Sequence, residues 1–159
     1  MDRVAIFADV QNIYYTVRQG HGCHFDYRKF LSRASSGREA VKAIAYAIDR
    51  GDEQQRKFQK TLERIGFEIK LKPFIQRSDG SAKGDWDVGI ALDVIEYAAL
   101  VDVIVLASGD GDFDLLVDKA INNYTVQVEV YGVPELTAQS LVSAASRFIP
   151  VDGDLLLAK

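Results

Sequence analysis

Asp9 closes a short apolar run, residues 4–8, and Ser108-Gly109-Asp110-Gly111-Asp112 closes another, residues 103–107. Apolar runs of this length read as buried strands, so both sets of carboxylates follow directly on strand ends. Asp87 stands in the first turn of the apolar helix that precedes the second of these strands. Carboxylates brought within a few ångströms repel, so one must take up a proton or the group must share a cation. Oxygen donors of this kind suit hard divalent ions, Mg²⁺ or Mn²⁺. The expected ligand set is Asp9, Asp87, Asp110 and Asp112, with Asp9 and Asp110 as first choices for direct contact. Asn12 and Ser108 can orient water or phosphate beside them. Taken singly, each aspartate serves equally well as a helix cap; their joint position at strand ends favours a site. Gly109 and Gly111 are expected to let the backbone turn tightly. Asp93 lies about 120° round the helix from Asp87 and is expected in a supporting role.

Other residues are less telling. Lys70, Lys72, Arg77 and Lys83 fall on or near one strand and the loop leading to Asp87; they can guide a phosphate backbone or form a solvated face. Trp86 can stack on a base or pack in the core. His21, Cys23 and His24 share a turn without an evident fourth ligand, and read as a surface loop. The chain has no Gly-Lys-Ser/Thr phosphate loop, no dinucleotide glycine fingerprint and no serine nucleophile elbow.

The elements that must carry these groups alternate. Strands are expected at 4–8, 41–48, 67–71, 103–107 and 125–131. Helices are expected around Ile13 and Val17, from Asp26 through Leu31, over 52–65, 87–100 and 113–121, and over 134–145 with Pro134 near the start. The helix over 87–100 is apolar on nearly all sides and is expected to be well buried. Residues 77–84 read as a mobile polar loop, and the tail from Arg147 as a short strand or extended strap. Alternation of this kind gives right-handed crossovers and a parallel sheet covered on both faces. Strands 4–8 and 103–107 should be parallel neighbours, because their ligands must meet at the carboxyl edge.

Length and composition agree with one α/β domain over 1–159. The net charge of −4 does not advertise nucleic-acid binding, although a local basic strip can serve inside an acidic chain. A single cysteine excludes an internal disulfide and a Cys-rich zinc site. No apolar run approaches ~18–20 residues, the length of a membrane span, and a cytoplasmic location is expected.

Asp9-Val10-Gln11-Asn12 after an apolar strand, Lys83-Gly84 leading to Asp87-Val88 and Asp93, and Ser108-Gly109-Asp110-Gly111-Asp112-Phe113 together resemble the NYN domain. More narrowly they resemble its LabA-like (DUF88) branch within the PIN-like nuclease superfamily. The resemblance implies a three-layer PIN-like sheet, an Mg²⁺ or Mn²⁺ site built from Asp9, Asp87, Asp110 and Asp112, and hydrolysis of RNA. One residue more than usual separates Lys83-Gly84 from Asp87, so Asp85 competes with Asp87; Val88 and the spacing to Asp93 favour Asp87. Two other readings stand beside the ribonuclease. One is a non-catalytic RNA- or protein-binding regulatory module with a structural metal. RNA is the expected partner, and a homodimer or a protein partner is compatible with the chain. The other is a metal-dependent nucleotide phosphatase.

Overall fold

The structure, a computed structural model, describes residues 1–73, 75–76, 82–83 and 85–157. Strand β1 (Asp2–Asp9) runs straight into helix α1 (Val10–His21), which stops at Gly22 with φ 66°. Strand β2 (His24–Phe25) leads to α2 (Tyr27–Ser35), whose first turn is capped by Asp26 accepting from the Lys29 N–H at 3.0 Å. After β3 (Arg38–Asp49) comes α3 (Glu53–Ile65), capped by Asp52 and ended at Gly66 with φ 130°. Then follow β4 (Glu68–Pro73), the short strands β5 (Ile75–Gln76) and β6 (Ala82–Lys83), α4 (Asp87–Ala98) and β7 (Val103–Ala107). A 3₁₀ turn at Gly111–Phe113 opens α5 (Asp114–Tyr124). The chain ends with β8 (Gln127–Gly132), α6 (Gln139–Ala144), β9 (Arg147–Pro150) and β10 (Leu156–Leu157).

One six-stranded sheet has the order β4-β3-β1-β7-β8-β9, with every neighbouring pair parallel. The chain builds outward from β1 through β3 to β4, then returns to the other side of β1 and builds outward again through β7, β8 and β9. The β1/β7 junction is therefore the topological switch point, where helices on opposite faces leave a crevice at the carboxyl ends. Side chains of β1 alternate between two cores. Val4, Ile6 and Ala8 pack with α1 and α2 residues such as Ile13, Val17 and Phe30. Ala5 and Phe7 pack under α4 and α5 residues such as Ile90, Val94 and Val117. Asp9, the next residue in that second alternation, stands opposite Tyr46 at the end of the ladder.

The expected neighbourhood of the first strand and Val103–Ala107 is present, with Ala8 paired to Ala107. Other expectations need correction. Helix α4 is not buried all round: Val88 and Leu92 are 69% and 68% exposed. Its fully buried stripe is Ile90, Val94 and Ala98, and nothing in the described chain covers the opposite side. The helix expected over 134–145 is broken into a 3₁₀ turn at Pro134–Leu136 and the shorter α6. Thr137 and Ala138 between them are extended, because Ala138 donates its N–H to the Gly109 carbonyl at 3.1 Å. Of the expected loop 77–84, Ala82–Lys83 instead pairs antiparallel with Ile75–Gln76; 77–81 and Gly84, and the mobility expected there, lie outside the described residues. The tail is both strand and strap: β9 extends the sheet, and β10 then pairs antiparallel with β2. Among the described residues no helix is long and apolar enough to cross a membrane.

Candidate metal centre

Asp87, Asp110 and Asp112 come together at the switch point, each offering a carboxylate oxygen within 4.8 Å of the others. They arrive on two segments: the first turn of α4, and the β7–α5 connection. Oxygens sharing one Mg²⁺-sized ion at octahedral corners stand about 3–4 Å apart, so the trio is near the spacing one such ion needs. The donors are all hard oxygens, and Asp112 is exposed while the other two are half-buried. The set fits a divalent cation in chemistry and in spacing.

Asp9 lies beside this trio rather than in it. It is 8% exposed, and its Oδ2 accepts from the Ser108 hydroxyl at 3.0 Å. That same hydroxyl oxygen accepts the Asp110 N–H at 3.1 Å. Asn12 Oδ1 accepts the Gly109 N–H at 2.8 Å, and Asp110 Oδ1 accepts the Asp112 N–H at 2.9 Å. The start of α1 and the β7–α5 connection are thus laced together by short polar links. Burial pushes the Asp9 carboxyl up to about 6, against the Ser108 hydrogen bond, with the Asp110 charge adding to the rise. Asp87 rises further, to about 7: burial is the first cause, then the charges of Asp110 and Asp85, then a hydrogen bond to Asp110. With its carboxyl raised in this way, Asp87 keeps its proton to higher pH than a free aspartate, which eases the repulsion within the cluster.

The glycines of this connection act differently from expectation. Neither Gly109 nor Gly111 has a positive φ. A Cβ at Gly109 would lie 2.7 Å from the Leu136 carbonyl oxygen, and one at Gly111 2.8 Å from Ala138 Cβ. Both are small because the strap after β8 crosses them closely. That crossing is a tertiary contact with no local signature.

Trp86, directly before Asp87, is held on several sides. Its indole N–H donates to the Ala47 carbonyl at 2.8 Å, and its ring tilts against Tyr46 at 5.4 Å. Lys72 Nζ lies 4.6 Å from the ring centroid. A Cβ at Gly89 would come within 2.5 Å of the ring. The ring is committed to fixing the start of α4 against β3. Asp93 accepts from both the Tyr46 hydroxyl and Lys70 Nζ, each at 2.7 Å. This places Asp93 behind the site, and Lys70 in an internal ion pair. Lys72 also donates to the Asp85 carbonyl at 3.3 Å. Asp85 itself accepts the Asp87 N–H at 3.3 Å, so it shapes the turn before Asp87. Lys83 is described through its pairing with Ile75, and Arg77 lies outside the described residues. His21 bonds the Val151 carbonyl through Nε2 at 3.0 Å, and His24 stacks on Tyr14.

A parallel sheet with an acidic cluster at its switch point is the arrangement of a PIN-like nuclease-type domain. A family model described as NYN domain matches residues 3–153, and the chain belongs to the NYN domain family. Low amplitude and bright protein LabA of Synechococcus elongatus is 30% identical over 158 residues, which span 94% of this chain and 84% of LabA. This places the chain in the LabA-like branch. It is also similar to a crystal structure of a protein of unknown function from Vibrio parahaemolyticus. That protein is 52% identical, with a TM-score of 0.94 over 98% of this chain and 96% of the other.

Proposed function

We propose that this chain is a divalent-metal-dependent ribonuclease that hydrolyses RNA phosphodiester bonds. The observation that carries the reading is the convergence of Asp87, Asp110 and Asp112 at the switch point of the sheet. Asp87, Asp110 and Asp112 would hold Mg²⁺ or Mn²⁺, with Asp9 adding negative charge behind them. Bound there, the ion would lower the pKa of a coordinated water and neutralise charge on the scissile phosphate. The protein's own part is positional. Ser108, bonded to both Asp9 and the Asp110 N–H, fixes the distance between the two carboxylates. Asn12 fixes the Gly109 peptide, and through it the path of the acidic connection. Trp86 and Asp85 fix the turn that delivers Asp87. The exposure of Asp112 leaves the rim open, which suits a long polymer better than a small monoester in a closed pocket.

The test is incubation of the purified chain with single-stranded and structured RNA, with and without Mn²⁺. Cleavage should require the ion and should fall by orders of magnitude in Asp110→Asn, which removes a ligand charge with little change of shape. Equal background cleavage by both proteins, whatever the ion, would rule the nuclease reading out in favour of a binding module.

A further inference from the structure

The acidic centre must be reached by a polyanion, and the two sides of the sheet treat a polyanion differently. On one side, α4 carries Asp87, Asp93 and Glu96 without a lysine or arginine, and α5 sets Asp114 and Asp118 against Lys119 alone. On the other, α1 and α2 contain no aspartate or glutamate, and display Arg18, Arg28 and Lys29 on exposed positions. Among the described residues none of these three cations has a carboxylate within ion-pair distance, whereas Arg33 is taken up by Asp154 at 3.6 Å. A phosphate backbone approaching the site is therefore attracted along the α1/α2 flank and repelled along α4/α5.

The α1 flank also carries aromatic rings in the open. Tyr14 and Tyr15 are 42% and 55% exposed, and meet edge to face with centroids 5.8 Å apart. Tyr14 is braced: Arg18 Nη1 donates to its hydroxyl at 2.9 Å, and His24 stacks on its ring at 6.1 Å and 24°. Among the described residues Tyr15 meets only Tyr14 within this group, and its ring is the more exposed of the two. It follows Gln11 and Asn12 by four and three residues, so it lies one turn along the same face of α1. Asn12 is the residue that touches the acidic connection. One turn of helix, about 5.4 Å, separates the end of the catalytic network from an exposed ring flanked by an arginine.

We infer that Tyr15, braced by Tyr14 and flanked by Arg18, is a base-stacking platform that holds unpaired RNA as it enters the acidic centre along α1. Stacking on an aromatic face needs an unstacked base and tolerates any base identity. The platform therefore selects single-stranded RNA over duplex, whose base faces are already covered. The inference rests on the ribonuclease reading and deepens it by placing the substrate.

The test is binding of the native chain, kept in EDTA to prevent cleavage, to a short fluorescent single-stranded RNA and to its blunt duplex, followed by anisotropy over a range of salt. Tyr15→Ala should weaken single-strand binding about 5- to 150-fold, the loss that goes with one stacked base. Tyr15→Phe should bind within about twofold of the native chain. Duplex binding should be unmoved by Tyr15→Ala. Arg18→Gln should flatten the single-strand salt dependence by about 0.7 in log–log slope, the mark of one lost phosphate contact. Both side chains are exposed, so all three variants should keep the native melting temperature. Single-strand binding by Tyr15→Ala equal to the native chain, or a native chain that binds no RNA, overturns the platform. In the first case Mn²⁺-dependent, Asp110-dependent cleavage still upholds the nuclease; in the second, its absence removes both.

Discussion

Asp87 is the residue on which the state of the site turns. Its carboxyl in the folded chain is raised from 3.8 to about 7, chiefly by burial and by the charges of Asp110 and Asp85. Between those two values the folded chain holds a proton that the unfolded chain has lost, so stability falls as pH rises across that window. Below about 4 both states are protonated, and the penalty is absent; above about 7 it is fully present. Asp9, raised to about 6, adds the same sign over the lower part of the window. Asp87→Asn should therefore melt higher than the native apo protein at pH 8, by a few degrees, and nearly level with it at pH 4. A scan of melting temperature against pH in EDTA measures this; an Asp87→Asn curve parallel to the native one would refute it. The sequence made the acidic residues legible because each follows a strand or opens a helix. It could not show that Lys70 is spent on Asp93, because that pairing spans β4 and α4 and depends on how they pack.

Among the elements, the connection after β7 is the least tolerant. The strap at Leu136–Ala138 crosses directly over Gly109 and Gly111, and Ala138 is hydrogen-bonded to the Gly109 carbonyl. The neighbouring atom at Gly109 is backbone oxygen, which cannot rotate away. Gly109→Ala should cost roughly 1–3 kcal/mol, the usual range for forcing extra volume into a packed site. It should also move Asp110 and Asp112, since Asn12 and Ser108 hold the same peptides. Denaturant unfolding and Mn²⁺ titration of the variant check the two effects; native stability with native ion affinity would show that the strap yields freely. The strands and most helix starts were legible from apolar runs and from the caps Asp26 and Asp52. The break in the helix expected over 134–145 was not, because it answers to this crossing and not to local propensity. The open side of α4 was hidden for a related reason: its apolar residues exceed what the sheet can cover, and composition alone does not say which side is left out.

At the scale of the whole molecule, the charge that destabilises the apo chain is the charge that would bind the ion. A cation that binds only the folded state stabilises it by mass action, about 2.7 kcal/mol at a hundredfold excess over its dissociation constant. For a chain of this size each kcal/mol corresponds to roughly 2–4 °C, so saturating Mn²⁺ should raise the melting temperature by about 5–11 °C. Binding must displace the proton that the raised Asp87 carboxyl holds, so the gain should be small at pH 5 and fully developed at pH 8. Asp110→Asn should lose most of the response at every pH. The α1/α2 flank lies outside this exchange, so Tyr15→Ala should keep the whole ion response while it loses RNA. Calorimetric scans with and without Mn²⁺ at the two pH values decide the matter: a melting temperature indifferent to the ion at pH 8 would leave the acidic cluster as a feature of the fold and not an ion site.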